Sequence, residues 1–184
     1  MKDITNEEKG YAKINLALHV TGIQADGYHA LDSIVVFTDV FDRLFFKRSL
    51  KNVVTLKGEF SGSINVQENS ILQALKLFGN GLTDRFSINL EKNLPIGAGL
   101  GGGSADAAAV IRFITNNSKH LMPSYEVLSK IGADIPACVL SVASRVEGIG
   151  EIVRPLDISE INLWVVLVNP DIFVSTGSIF AVSY

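Results

Sequence analysis

A glycine-rich segment at residues 94–106, Leu-Pro-Ile-Gly-Ala-Gly-Leu-Gly-Gly-Gly-Ser-Ala-Asp, points most directly to chemistry. Five of the seven positions from Gly97 to Gly103 are glycine, and an alanine-rich stretch follows. Glycine costs backbone entropy, so this density favours a loop whose backbone N–H groups approach a large anion. A helix N-terminus adds unpaired N–H donors, so the segment predicts a phosphate-binding site in which Ser104 caps the helix or donates to a phosphate oxygen. The alternative is a tight turn or a flexible linker.

The segment differs from the common phosphate-binding loops. It lacks the Gly-Lys-Ser/Thr ending of a P-loop. A Rossmann turn requires an acidic residue at the end of the next strand, whereas Glu126 falls within a helical pattern. The His-Arg-Asp and Asp-Phe-Gly sequences of protein kinases are also missing.

Two charged residues lie outside this loop in segments that could serve a phosphate site. Residues 10–22 alternate with period two, which predicts a strand with Lys13 and Asn15 on one face and apolar residues on the other, core face: Ile14, Leu16, Leu18 and Val20. Alternation alone favours a half-exposed strand with a solvated lysine. Asp134 precedes Ile135-Pro136, where the residues themselves favour a helix-capping role.

The remaining pattern predicts the elements that must position these residues. Strands are expected at 31–48, 52–58 and 86–90, a hairpin at 142–155, and a strand buried on both faces at 163–168. Helices are expected after Asn69, from about Ser104 to Thr115, and near Pro123. This irregular order of strands and helices predicts an α+β fold.

Composition limits the classes of function. The 184 residues carry a net charge of −3, with a sequence pI of about 5.6, which argues against nucleic-acid binding. The apolar runs are too short to span a membrane, and Cys138 is the single cysteine, so a cytoplasmic protein is expected. The three histidines have no zinc-like spacing, and no metal ligands are predicted.

The glycine segment closely resembles the second signature of the GHMP kinases. Further resemblance to one branch of that family runs from about residue 10 to the end of the chain, at segments 12–16, 25–29, 131–136, 145–151 and 168–176. The resemblance implies a GHMP N-terminal, ATP-binding domain at residues 1–158 and the beginning of a second domain at residues 159–184. It also implies transfer of a phosphoryl group from ATP, with Mg²⁺, to a hydroxyl of a cytidine diphosphate derivative in isoprenoid biosynthesis.

The resemblance also implies roles for individual residues. Lys13 and Asp134 match the catalytic pair, with Asp134 as general base. The implied ATP-binding residues are Lys92, Pro95, Gly97, Gly99, Gly101, Gly102, Gly103 and Ser104. The implied substrate-binding residues are Asn15, Tyr28, His29 and Thr176.

Several of these residues could instead have a purely structural role. Lys92 could be a solvated surface lysine, and Tyr28 an ordinary core aromatic. His29 could be an exposed turn residue, and Thr176 could help to cap a final helix.

The chain departs from the family pattern in one respect. No third glycine-rich signature, which family members carry in the second domain, is found in the sequence. The expectation is therefore a partial protein that self-associates through the apolar segment 163–168. The alternative functions are another GHMP small-molecule kinase, such as a mevalonate, homoserine or galactose kinase, and a nucleotide-binding fragment without turnover.

Overall fold

The computed structural model describes residues 6–25, 27–63, 70–79, 84–161 and 163–170. Its strands and helices alternate irregularly, which confirms the α+β class. The strands are β1 (Asn6–Ile23), β2 (His29–Ser49), β3 (Val53–Lys57), β4 (Arg85–Glu91), β5 (Ser144–Gly148) and β6 (Ile152–Pro155). The α-helices are α1 (Ser70–Leu77), α2 (Gly102–Asn117), α3 (Tyr125–Ser129) and α4 (Ile135–Leu140), and a 3₁₀ turn covers Ser61–Ser63.

The long strand β2 organises the sheet. It pairs with β1 along one edge, and β4 and β5 share its other edge. β3 extends the sheet beyond β4 as a parallel neighbour, and β6 extends it beyond β5. The predicted strands at 31–48, 52–58 and 86–90 and the hairpin at 142–155 are confirmed, with boundaries shifted by a few residues.

Helix α2 forms the centre of the core, against β1, β2, α1 and α4. The consecutive alanines Ala107, Ala108 and Ala109 are fully buried, because small side chains allow close approach to the surrounding elements. At the other end of the helix, the ring of Phe113 stacks on Phe46 with centroids 3.8 Å apart. The helix that follows the glycine loop is thereby held rigidly on the sheet, and the prediction of a helix at 104–115 is confirmed.

The predicted core face of β1 is wrong. Leu16 and Leu18 are exposed, whereas Ala12 and Lys13 are buried. Three register irregularities interrupt the pairing of β1 with β2, and such bulges change the face to which successive side chains point. Strict alternation over residues 10–22 therefore does not describe this strand.

The predicted buried strand at residues 163–168 is also wrong. The segment has no regular secondary structure, and Trp164 is 100% exposed. A strand needs a hydrogen-bonding neighbour and a covering layer, and no described strand pairs with this segment. The proposed start of a second domain at residue 159 stays a prediction, and the final helix that Thr176 could cap lies outside the described residues.

Candidate active site

The glycine loop connects β4 to α2, and its backbone explains its composition. Gly97, Gly99 and Gly101 have φ values of 68°, 73° and 66°, a region that residues with a side chain rarely adopt. The loop ends at the N-terminus of the 16-residue helix α2, where backbone N–H groups lack helical acceptors. The loop lies between a strand and a buried helix. This arrangement does not fit a flexible linker, whereas it fits an anion-binding cradle.

Ser104 does not cap α2. The capping position is Gly101, which offers no side chain, and Ser104 is the third residue of the helix. A methyl group on Gly132 would lie 3.3 Å from the Ser104 hydroxyl oxygen, so Ser104 faces the turn that leads to Asp134. The capping prediction is therefore wrong, and the predicted contact between Ser104 and phosphate stays a prediction.

Lys13 and Asp134 meet beside the end of the loop. The Lys13 ammonium lies 3.2 Å from Asp134 Oδ1, and the two side chains are 3% and 40% exposed. The backbone N–H of Lys13 also donates to the carbonyl of Leu100 at 2.9 Å, which joins β1 to the loop. A methyl group placed on Gly101 would lie 3.3 Å from Lys13 Cε and 3.5 Å from Asp134 Oδ2. The fold therefore brings together a cation, a carboxylate and the loop backbone.

Both structural alternatives for this pair are wrong. Lys13 is buried and not solvated, because the bulges in β1 turn its side chain towards the loop. Asp134 occupies the capping position of α4 but makes no side-chain capping hydrogen bond. Its carboxylate is directed to Lys13 instead, which leaves it half-exposed beside the loop.

Asn15 is held by a short chain of polar groups on the sheet. The Lys13 ammonium donates to Asn15 Oδ1, and Asn15 Nδ2 donates to the Ser33 hydroxyl at 2.7 Å. Ser33, which is buried, donates in turn to the carbonyl of Ala17 at 2.7 Å. Ser33 thus fixes the orientation of the Asn15 amide. No local pattern marks Ser33 as a functional residue, because its importance depends on the pairing of β1 with β2.

Lys92 is not the solvated lysine of the structural alternative. It is 3% exposed, and its ammonium contacts the carboxylates of Asp42 and Asp106, both of them also buried. The two aspartates were missed by sequence reasoning. A signal existed at Asp106, since a single carboxylate within a stretch of buried alanines requires a buried cationic partner.

Tyr28 and His29 lie at the turn of the β1–β2 hairpin. His29 pairs with Ile23, ten residues along β1 from Lys13, so these residues are not brought next to the Lys13–Asp134 pair. Tyr28 is 55% exposed, which excludes its structural alternative of core burial. Stacking of Tyr28 on a base stays a prediction, and Asp26 and Thr176 lie outside the described residues.

The turn of the β5–β6 hairpin packs against the backbone of the segment that carries Asp134. Gly150 has a φ of +105°, and a methyl group there would lie only 2.0 Å from the carbonyl oxygen of Ala133, the residue before Asp134. Replacing Gly150 by alanine should therefore destabilise the fold by at least about 2 kcal/mol, because the side chain strains its own backbone and displaces Ala133.

Urea denaturation measures this effect. Gly62→Ala is the matched control, because a methyl group at Gly62 contacts none of the residues that the structure describes within 4 Å, and a change within about 0.5 kcal/mol is expected. Equal stabilities of the two variants would contradict the close packing of Gly150 on Ala133.

The residues that the structure describes lack two features, a metal-ligand cluster and a membrane-spanning helix. Among these residues, no cluster of three or more His, Cys, Asp or Glu side chains could hold a metal ion. Within the same ranges, no helix combines the length and the apolar character needed to cross a membrane.

The site can be compared with known proteins. Residues 69–146 match the family described as the GHMP kinases N-terminal domain. The 4-diphosphocytidyl-2-C-methyl-D-erythritol kinase of Cereibacter sphaeroides (strain ATCC 17025) is 40% identical over 170 residues, which cover 92% of this chain and 60% of that protein. The same-named protein of Rhizobium johnstonii is 43% identical over 182 residues, which cover 94% of this chain and 59% of that protein.

A solved structure is also similar. The crystal structure of 4-(cytidine 5'-diphospho)-2C-methyl-D-erythritol kinase superimposes with a TM-score of 0.66 at 32% identity, over 82% of this chain and 55% of that one. This chain thus spans about 60% of the length of the relatives it matches. The matched segment 69–146 contains the glycine loop, helix α2 and Asp134, so the part of the chain that holds most of the site is similar to the N-terminal domain of the GHMP kinases.

Proposed function

We propose that this chain supplies the ATP-binding loop and the catalytic pair of a kinase that phosphorylates the 2-hydroxyl of 4-diphosphocytidyl-2-C-methyl-D-erythritol. The observation that carries the proposal is the Lys13–Asp134 pair, 3.2 Å apart and in contact with the end of the glycine loop. Phosphoryl transfer depends mainly on positioning and on neutralisation of charge. The site offers a backbone cradle, a cation and a carboxylate within one small volume.

In this proposal the loop from Gly97 to Gly103 binds the phosphates of ATP through its backbone N–H groups. Its left-handed glycines fit this role, because a side chain at Gly101 would fill the space beside Lys13. Mg²⁺ would be held chiefly by the phosphates and by water, and would neutralise part of their charge. Pro95 and Ser104 flank the loop and stay predicted contacts.

Asp134 acts as the general base. A carboxylate is far less basic than an alkoxide, so Asp134 accepts the hydroxyl proton only as the new oxygen–phosphorus bond forms. Lys13 orients the carboxylate through their ion pair, and its ammonium stabilises charge on the transferred group. Asn15 Oδ1 accepts from the Lys13 ammonium, Ser33 orients the Asn15 amide, and the proposal assigns Asn15 to contact with the acceptor.

The cytidine part of the acceptor is assigned to the hairpin turn. Tyr28 is 55% exposed at this turn, and the proposal assigns its aromatic ring to stacking on the base, with His29 and Thr176 as further proposed contacts. The similar proteins named above support this choice of acceptor, since their names specify it. Other GHMP acceptors, such as mevalonate or homoserine, carry no base for Tyr28 to bind.

The direct experiment mixes this chain with ATP, Mg²⁺ and the proposed acceptor and follows product formation by phosphorus NMR. ADP and a phosphorylated acceptor are the expected products, and mevalonate, homoserine and galactose should give none. Binding of both substrates without transfer would favour the alternative of a nucleotide-binding domain without turnover. Transfer to one of the other alcohols would replace the proposed acceptor.

A point mutation tests the acceptor site separately. Tyr28→Ala should weaken binding of the acceptor by about 1–3 kcal/mol, the usual contribution of one stacked base, and should leave ATP binding unchanged. Tyr28→Phe is the matched control, because it keeps the aromatic face and should bind the acceptor nearly as the wild type does. Calorimetric titration with each ligand measures both, and equal losses for acceptor and ATP would contradict this assignment.

A further inference from the structure

Three buried ionisable side chains form a cluster beneath the glycine loop. Lys92 donates to Asp42, and it donates to Asp106 Oδ2 at 3.0 Å. All three residues are at most 3% exposed. Neither Asp42 nor Asp106 has a direct role in the proposed reaction. The cluster is therefore expected to act through the segments of the chain that it holds in place.

The cluster ties the beginning of the loop to the sheet. Asp42 Oδ1, on β2, accepts the backbone N–H groups of Asn93 at 2.6 Å and of Leu94 at 2.9 Å, the two residues that lead into the loop. The backbone of Lys92 is fixed as well, since its N–H donates to the carbonyl of Lys57 on β3 at 2.7 Å. The chain therefore enters the loop in one defined direction.

The same cluster ties down the end of the loop. Asp106 is the fifth residue of α2, and its contact with Lys92 holds the first turn of that helix. A methyl group on Gly102 would lie 3.0 Å from the Lys92 ammonium, so the loop ends directly on the cluster. On the far side, a methyl group on Gly10 would lie 3.0 Å from Asp106 Oδ1, which shows that β1 closes tightly over the carboxyl group.

Stability alone is a poor reason for such a cluster. Burying charges carries a desolvation cost that apolar side chains of similar volume avoid. Among the described residues, Asp106 Oδ1 is buried without a hydrogen-bond partner, and burial raises the pKa of Asp106 to about 8 against the opposing effect of the Lys92 ammonium. Directional groups in a buried site do, however, fix a single geometry, which apolar packing does less strictly.

We propose that Asp42, Lys92 and Asp106 are positioning residues, which join the two ends of the glycine loop and set the geometry of its backbone N–H groups. Lys92 then acts on bound phosphate through the loop and not by direct contact with ATP. The link to ATP affinity rests on the proposed function. The link to loop geometry does not, because it can be measured without any ligand.

Amide hydrogen exchange of the unliganded chain tests the geometry. Lys92→Met keeps the length of the side chain but removes the ammonium, and Asp42→Asn weakens the acceptor of the Asn93 and Leu94 N–H groups. In both variants the amides of Asn93, Leu94 and the first turn of α2 should exchange at least about tenfold faster, as expected for loss of a local restraint. Amides near Ile111 in the core of α2 should change much less.

A matched control is available on the neighbouring strand. Lys57→Met removes an exposed lysine whose ammonium lies 3.4 Å from Glu91, and exchange at Asn93 and Leu94 should stay at the wild-type rate. A variant of Lys92 or Asp42 that loses all structure, or in which every amide accelerates equally, would show that the cluster only stabilises the fold. Either result overturns the proposal.

Calorimetric titration with ATP and Mg²⁺ provides the second readout. Both variants should bind ATP about 10- to 100-fold more weakly, the range seen when groups that orient ligand-binding residues are removed. For Asp42→Asn the direction of the change in ATP affinity is decisive. Loss of a negative charge would by itself strengthen binding of an anion, so weaker binding points to loss of the positioning contact. Unchanged or tighter ATP binding by Asp42→Asn would overturn the proposal, as would an effect confined to Lys92→Met. If the wild-type chain binds no ATP, the proposed function fails, and the exchange rates still decide the role of the cluster.

Discussion

Replacing Asp134 by asparagine is expected to slow phosphoryl transfer by about 10²- to 10⁴-fold, the usual contribution of a general base. The amide has nearly the same shape as the carboxylate but cannot accept the hydroxyl proton. It also loses the ion pair with Lys13, whose ammonium lies 3.2 Å from Asp134 Oδ1. Binding of ATP and of the acceptor should change little, because the cradle and the hairpin turn are untouched.

The measurement is turnover at saturating substrate, relative to the wild-type chain in the same assay. Asp84→Asn is a closely matched control, since the Asp84 carboxylate lies 3.2 Å from the Arg48 guanidinium and has a similar exposure. That variant loses an ion pair of the same length away from the glycine loop, and its turnover should equal that of the wild type. Near-normal turnover of Asp134→Asn would remove Asp134 from the role of base.

Gly101→Val is expected to weaken ATP binding by more than about 100-fold. The side chain would reach into the space beside Lys13 Cε and Asp134 Oδ2, which lie 3.3 and 3.5 Å from the position of a methyl group. Hydrogen bonds to charged groups contribute about 1.5–3 kcal/mol each, so loss of two backbone donors to phosphate is enough for this effect. Calorimetric titration with ATP measures it.

Backbone strain must be separated from loss of the site, because Gly101 has a φ of +66°. Gly79→Val is the matched control, since Gly79 also has a positive φ, of +51°, and a methyl group there meets no described residue within 4 Å. Both variants should lose a similar 1–3 kcal/mol or so of stability through strain. Only Gly101→Val should lose ATP, and a folded Gly101→Val chain with normal affinity would contradict the assignment of the loop.

Residue types and their local order are enough to predict the loop, the helix after it and most strands of the sheet. These features follow from local chemistry. Glycine density marks positions with positive φ, as found at Gly97, Gly99 and Gly101, and an alanine-rich stretch favours a helix that packs closely. The pairing of Lys13 with Asp134 is predicted only by resemblance to a family. The alternation of residues 10–22 by itself favours a solvated lysine, and the residues around Asp134 favour a helix cap.

Which side chains are buried, and what they contact, depends on the long-range packing of the chain. Bulges in β1 turned Lys13 inward, a change that strict alternation cannot anticipate. Lys92 lies 50 residues from Asp42 and 14 from Asp106, so no local pattern connects the three. The apolar segment 163–168 is a further example. Its composition indicates a strand that could be buried, but burial requires a pairing neighbour and a covering layer.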